Sequence, residues 1–176
     1  MQFPRLLVLG YAEASMFLRN GARDAVRALI AIHGEREDTV EVGRIPHHLI
    51  LQFDDIDVPD EHDLLQQARL HVRRREAAEY GLSPSPPTIE HAARIIEFAR
   101  GIRELDGVLL CQCQAGVSRS AAAALLCLAT WTYPGEEQEC FEYLMSIRPC
   151  ALPHRGLVAF GDHILGRSGG LLRCIS

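Results

Sequence analysis

The segment CQAGVSRS, Cys113–Ser120, decides the fold, because it joins an apolar run to a helix-forming sequence through a tight loop. The apolar residues before it, Val108–Cys111, are typical of a buried strand, and the alanine-rich and leucine-rich stretch after it is typical of a helix. A strand, a loop and a helix N-terminus in this order bind anions, because the loop N–H groups and the positive end of the helix dipole converge on one ligand. Arg119 adds a forked, permanently charged donor. We therefore expect residues 114–119 to wrap a phosphate.

Cys113 lies at the start of this loop and is the candidate nucleophile. A helix N-terminus and a neighbouring guanidinium favour the thiolate, which is the reactive form of a cysteine. The Cys-x5-Arg spacing, together with Gly116, Ser118 and Ser120, resembles the signature loop of the cysteine-dependent protein tyrosine and dual-specificity phosphatases. The sequence departs from that family at Gln112, where the family usually has histidine. A glutamine amide can still hydrogen-bond to the backbone but carries no ionisable proton.

The resemblance spans about residues 38–166. It implies an α/β fold with a small, mostly parallel central sheet flanked by helices, as in the dual-specificity phosphatases. It implies Cys113 as nucleophile, Arg119 as phosphate ligand and Ser120 as the hydroxyl that stabilises the leaving thiolate. The residues implied to bind the substrate phosphate are Gln114, Ala115, Gly116, Val117, Ser118 and Arg119. No metal or cofactor is implied, because loop dipoles and an arginine supply the charge stabilisation.

The implied activity is hydrolysis of phosphotyrosine through a phosphocysteine intermediate, with phosphoserine and phosphothreonine left open as further substrates. The loop interior carries no extra cation, which favours a phosphorylated protein or small phosphomonoester over a phosphorylated lipid headgroup. Two other classes stay open. Gln112 is compatible with a catalytically weak module that binds phosphoproteins, and the Cys111/Cys113 pair is compatible with a redox or sulfur-transfer protein, a role that would not require Arg119 or the acidic loop. Zinc binding by the cysteines is a weaker alternative.

A phosphatase of this type needs a carboxylic acid to protonate the leaving oxygen. The sequence FDDIDVPD, residues 53–60, follows a predicted strand and holds four candidates. These are Asp54, Asp55, Asp57 and Asp60. We favour Asp55, because it stands two residues beyond Phe53, the offset of the general acid in similar dual-specificity phosphatases, with Asp57 as the alternative. An acidic, solvated turn is the plain structural interpretation of the same cluster.

An insertion at about residues 60–87 separates these aspartates from the rest of the domain. Leu64, Leu65, Ala68 and Val72 recur at helical spacing within it, and Arg73–Arg75 form a basic triplet. The functional interpretation is a lid or substrate-recognition helix beside the active site, whose arginines meet an acidic phosphopeptide. The alternative is an ordinary helix with a charged outer face.

Short apolar runs alternate with helical patterns along the chain, which predicts one α/β domain over residues 1–176. The further predicted strands are Leu6–Leu9, Thr39–Val42 and Leu49–Phe53. The predicted helices are 21–32, 88–105, 119–131, 135–147 and 155–165. Thr88 is the predicted N-cap of the second of these.

Composition narrows the class of protein. The chain has 176 residues, 48% of them hydrophobic, and a net charge of -5, which argues against nucleic acid as a partner. All 18 basic residues are arginine, and the absence of lysine excludes a Schiff base or a Walker-type phosphate lysine. No apolar stretch is long enough to predict a membrane span. We interpret the six cysteines as reduced and expect a cytoplasmic, bacterial protein.

Overall fold

The computed structural model describes residues 4–20, 22–59 and 62–176. Its centre is a four-stranded parallel sheet with the strand order β1-β4-β2-β3. The strands are β1 (Arg5–Gly10), β2 (Val26–His33), β3 (His47–Gln52) and β4 (Val108–Cys113). The predicted α/β class with a mostly parallel sheet is therefore confirmed.

The described residues form seven α-helices. They are α1 (Tyr11–Arg19), α2 (Leu64–Glu79), α3 (Ile89–Gly101), α4 (Arg119–Trp131), α5 (Glu137–Ile147), α6 (Arg155–Leu165) and α7 (Gly170–Cys174). None of them is both long and apolar enough to cross a membrane.

The sheet has a hydrophobic core on each face. The larger core contains α3, α4 and α6 and is centred on residues such as Ile95, Leu125 and Leu157, all without solvent exposure. The smaller core lies under α1 and includes Ala14 and Val40. Every residue of β4 is buried, because this central strand is covered on both faces. Cys113, the last residue of β4, therefore emerges at the carboxyl edge in the middle of the sheet, where open α/β sheets bind ligands.

The strands predicted near residues 6–9, 49–53 and 108–113 are confirmed, as are the four helices predicted from residue 88 onward. The prediction of a helix over 21–32 is wrong. Residues 22–25 form a single 3-10 turn and residues 26–32 belong to β2. The physical reason is that β2 lies between β4 and β3 with both faces covered, so residues 28–32 are all apolar and fully buried. A continuous apolar run of this kind fits helical spacing as well as strand spacing.

The strand predicted at Thr39–Val42 is also wrong, because this segment is an irregular connection between β2 and β3. Its alternation of polar and apolar residues arises from Val40, which fills the smaller core, and not from strand pairing. Helices α1 and α7 were not anticipated by the sequence pattern. The insertion does contain a helix, α2, as its spacing predicts.

Candidate active site

The segment between β4 and α4, residues 113–119, forms a tight loop that we call the phosphate loop. Gly116 has φ of 70°, a conformation that side chains rarely adopt. A Cβ at Gly116 would also overlap the backbone of Leu9 and Gly10 at the end of β1. Glycine is therefore required here for both its conformation and its lack of a side chain.

The carbonyl groups of residues 114–118 in the phosphate loop all accept hydrogen bonds from outside the loop. The Tyr11 N–H donates to the Gln114 carbonyl at 3.1 Å, and the Leu152 N–H donates to the Val117 carbonyl at 2.9 Å. The Ser118 carbonyl accepts from the Ala122 N–H at 2.9 Å and from the His154 N–H at 3.3 Å.

Arg148 satisfies the two remaining carbonyls. Its Nε donates to the Gly116 oxygen at 2.9 Å and its Nη2 donates to the Ala115 oxygen at 3.2 Å. Glu13 holds Arg148 in place through an ion pair of 3.0 Å, and the Glu13 carboxylate also accepts from the Gly10 N–H at 2.8 Å. The hydrogen bond from Arg148 and that from Gly10 lower the pKa of Glu13. This carboxylate and Arg148 thus tie the loop to the start of α1.

Because the N–H of a trans peptide points opposite to its C=O, outward carbonyls at 114–118 turn the N–H groups of 115–119 toward the inside of the loop. Within the described residues, none of these N–H groups has a protein acceptor. The Nε of Arg119 is likewise buried and unpaired there. A buried donor without an acceptor lowers the stability of a protein. The arrangement is therefore typical of an anion-binding loop, in which the bound anion accepts from these donors.

Glu37 orients the guanidinium of Arg119. The Glu37 carboxylate accepts from Nη1 at 2.7 Å and from Nη2 at 2.9 Å, and the Phe53 carbonyl accepts from Nη1 at 3.1 Å. Burial opposes ionisation of Glu37, but hydrogen bonds from Arg119 and from the Gly34 N–H outweigh it and lower the pKa of the carboxyl. Glu37 therefore occupies one edge of the guanidinium as a carboxylate and leaves the Nε edge for a ligand.

Cys113 and its neighbours meet beneath the loop. The Cys113 Sγ lies 3.1 Å from the Ser120 Oγ, and both residues are buried. Gln112 is fully buried, and its amide nitrogen donates to the Cys113 carbonyl at 2.9 Å. The amide oxygen of Gln112 has no partner in the described structure. The glutamine therefore hydrogen-bonds to the backbone, as its chemistry allows.

The four candidate acids occupy different environments. Asp55 accepts a hydrogen bond of 2.7 Å from the Ser118 hydroxyl and so lies against the phosphate loop, with its side chain 42% exposed. Asp54 is instead paired with Ser85, whose N–H donates to its carboxylate at 2.9 Å. Asp57 faces a cavity beside α2. Asp60 lies outside the described residues.

His154 links the segment that carries Asp55 to α6. Its Nδ1 accepts from the Leu157 N–H at 3.3 Å as the N-cap of α6, and its Nε2 is 2.9 Å from the Ile56 carbonyl. These two bonds require the neutral ring with its proton on Nε2, which donates to Ile56. His154 is only 6% exposed, so it caps α6 from a buried position.

No family model matches the sequence, and no curated protein matches it significantly. The structure has solved neighbours. Human tyrosine phosphatase-like serine/threonine/tyrosine-interacting protein is 19% identical with a TM-score of 0.60, covering 92% of this chain and 91% of that one. The Yvh1 phosphatase domain of Chaetomium thermophilum is 20% identical with a TM-score of 0.59, covering 97% of this chain and 99% of that one. DUSP15 is also 20% identical with a TM-score of 0.59, covering 97% of this chain and 88% of that one. The fold is that of the dual-specificity phosphatases.

The other cysteines of the chain, like Cys113, are free thiols. All six cysteines are free, and Cys111 contacts Cys127 inside the core. The hydrogen bond with Cys127 and burial raise the pKa of Cys111 well above its ordinary value. Thiol exchange requires a thiolate, so this environment disfavours the redox alternative. The described residues contain no group of three or more potential metal ligands.

Three residues that contact the site in this dual-specificity phosphatase fold were not among the sequence candidates: Glu37, Arg148 and His154. Arg148 and Glu37 reach the loop across 32 and 82 positions of the chain, so no local periodicity marks them. A charged residue directly before Pro149, as Arg148 is, was the one available signal of a special position.

Proposed function

We propose that this protein is a phosphoric monoester hydrolase that acts on phosphotyrosine through a phosphocysteine intermediate. The observation that carries the proposal is the phosphate loop, which begins at Cys113 and whose inward N–H groups and Arg119 Nε have no acceptor in the described structure. A soluble phosphomonoester and a phosphorylated protein share the phosphate that this loop fits.

The residues present provide each step of the reaction. The phosphate oxygens accept from the N–H groups of residues 115–119 and from the Arg119 Nε. The Cys113 thiolate attacks phosphorus in line, so the S–P bond forms as the bond from phosphorus to the leaving oxygen breaks. Asp55 gives its proton to that oxygen. No metal ion takes part in this scheme.

The second step regenerates the enzyme. A water molecule gives a proton to the Asp55 carboxylate and attacks phosphorus, and the S–P bond breaks to release inorganic phosphate. The electron pair returns to Cys113 as a thiolate. The Ser120 hydroxyl, 3.1 Å from the sulfur, donates to this thiolate and so improves it as a leaving group.

Hydrolysis of p-nitrophenyl phosphate in the presence of EDTA tests the proposal. We expect turnover by the wild type, none by Cys113→Ser, and protection of Cys113 from iodoacetate by inorganic phosphate. Turnover that survives in Cys113→Ser, or alkylation of Cys113 at the same rate with and without phosphate, would contradict it.

A second candidate is a module that binds phosphoproteins without turnover. It is favoured by Gln112, which replaces the usual histidine, and by the name of one neighbour, a tyrosine phosphatase-like interacting protein. The variant Gln112→His separates the two. Because either side chain can donate to the Cys113 carbonyl, an enzyme should change its turnover only modestly. A wild type without turnover that gains it in Gln112→His, while binding phosphotyrosine peptide throughout, would establish the module.

A further inference from the structure

Helix α2 carries an apolar face that no other part of the described structure covers. None of its residues is buried, and Leu65 and Val72 are 62% and 52% exposed. Residues three, four and seven apart lie on the same side of a helix, so Leu65, Arg69 and Val72 share one face, with Arg73 at its edge.

This face forms one wall of a cavity of about 600 Å³. The opposite wall is the segment that follows Asp55, including Ile56, Asp57 and Pro59. A cavity of this size lies in the range that binds ligands. Since Ile56 directly follows the candidate acid Asp55, an occupant of the cavity would lie beside a phosphate bound in the loop.

The charge of the cavity is opposite to that of the chain as a whole. The protein has a net charge of -5, but residues 69–75 contain four arginines and no acid. Arg69 and Arg73 line the cavity, and within the described parts of the chain neither forms a salt bridge. Among the described residues that line the cavity, two cations face one carboxylate, that of Asp57, and Asp63 at the N-terminus of α2 also attracts Arg69. The remaining positive charge fits an acidic group on the occupant.

The segment after α2 joins this region to the active site. The Ser83 N–H donates to the Glu35 carboxylate at 2.6 Å, and the Arg36 Nη2 donates to the Tyr80 carbonyl at 2.5 Å. Glu35 and Arg36 directly precede Glu37, which orients Arg119. The insertion therefore hydrogen-bonds to the segment that carries Glu37, next to the phosphate site.

On the basis of the proposed phosphatase function, we propose that this cavity is a recognition groove for the substrate chain. It binds the residues that flank the phosphorylated residue of a protein, with a large apolar side chain between Leu65 and Val72 and an acidic side chain on Arg69 and Arg73. The groove selects phosphoproteins with acidic and apolar flanking residues over those with neutral ones.

A protein segment fits the geometry better than an anionic lipid surface. Successive residues of a helix are rotated by about 100°, so the guanidinium groups of Arg73, Arg74 and Arg75 point in widely different directions. They cannot all rest on one plane. Arg69 and Arg73 instead line a concave site beside exposed apolar residues, which suits a chain that inserts a side chain.

The test uses two phosphotyrosine peptides, one with aspartate and leucine near the phosphotyrosine and one with serine and alanine in their place. Kinetics are compared for the wild type, the double variant Arg69→Gln/Arg73→Gln, and a control, Arg75→Gln/Arg100→Gln, which loses the same charge outside the groove. For exposed charge pairs we expect about a fivefold loss of kcat/KM on the acidic peptide in the groove variant alone. Val72→Ser should also lower kcat/KM on the acidic peptide, whereas Leu64→Ser, at a residue outside the groove, should not.

Turnover of p-nitrophenyl phosphate separates failure of the groove from failure of the proposed function. If all variants hydrolyse it alike but treat both peptides equally, the groove is refuted and the phosphatase stands. If the wild type shows no turnover, the proposed phosphatase activity is refuted. The groove is then tested by fluorescence anisotropy, which compares the affinities of the same variants for the two peptides. If the groove variant loses binding to vesicles containing phosphatidylserine but peptide selectivity is unchanged, the surface is a membrane site and the proposal is wrong.

Discussion

At the scale of single residues, Asp55 and Asp57 differ in their contacts with the phosphate loop. Asp55 accepts from Ser118 of the loop, whereas Asp57 faces the groove beside α2. We predict that Asp55→Asn lowers turnover of phosphotyrosine by about a hundredfold, the usual contribution of general-acid catalysis, and that of an activated aryl phosphate much less. Steady-state kinetics with a series of leaving groups measures this. If Asp57→Asn shows that pattern in place of Asp55→Asn, the assignment of the acid is wrong.

Glu37 makes the stability of the protein depend on pH. Its pKa is lowered from the ordinary value of 4.5 by the bonds from Arg119 and Gly34, which outweigh the effect of burial. A lowered carboxyl pKa contributes stability above the unfolded value, and this contribution is lost as pH falls through the lower folded value. We predict that Glu37→Gln destabilises the protein at pH 7 and that the difference from wild type shrinks below pH 4.5. Urea unfolding across this pH range, with the exposed Glu97→Gln as control, measures it; a difference independent of pH would contradict the ion pair.

At the scale of elements, the phosphate loop keeps its shape through donors from other parts of the chain. Arg148 supplies two of these and is held by Glu13. We predict that Arg148→Met weakens binding of inorganic phosphate about tenfold, because charged donors of this kind contribute roughly 1.5–3 kcal/mol. Isothermal titration measures this, with the exposed Arg100→Met as control. Equal phosphate affinity in wild type and Arg148→Met would show that the loop holds its shape without the arginine.

Helix α6 and the segment carrying Asp55 are joined by His154. The variant His154→Asn keeps an acceptor for the N-cap of α6 but is too short to reach the Ile56 carbonyl. We predict nearly unchanged stability but about a tenfold lower kcat on phosphotyrosine, with a smaller effect on an activated aryl phosphate, because His154 positions the acid. A loss of the same size on both substrates would indicate a structural role for His154 alone.

At the scale of the whole molecule, an anion in the loop should stabilise the fold. The loop hydrogen-bonds to α1, α4 and the segment before α6, so an anion that binds the native state alone raises its free energy of unfolding by about 2.7 kcal/mol at a hundred times its Kd. For a protein of this length, that corresponds to roughly 5–10 °C in Tm. Thermal unfolding with inorganic phosphate measures the shift. It should disappear in Arg119→Met, and an equal shift in that variant would place the anion elsewhere.

The features that arise from neighbouring residues could be predicted from the sequence. The strand, loop and helix around Cys113 can be predicted because the apolar run, the glycine and the helix-forming residues follow one another within one segment. Helix α3 with its N-cap Thr88 was predicted for the same reason. The α2 helix of the insertion follows from its spacing as well. In each case the physical cause, a dihedral preference or a local periodicity, lies within a few residues.

The features that depend on contacts between distant segments became visible in the folded chain alone. Whether residues 26–33 form a strand depends on the strands on both sides, because burial of both faces removes the periodic signal. Glu37 reaches Arg119 across 82 positions, and His154 reaches Ile56 across 98. The groove exists only because α2 stands beside the segment after Asp55. Such contacts are made by chain folding between segments whose local sequences are independent of each other, so no local pattern predicts them.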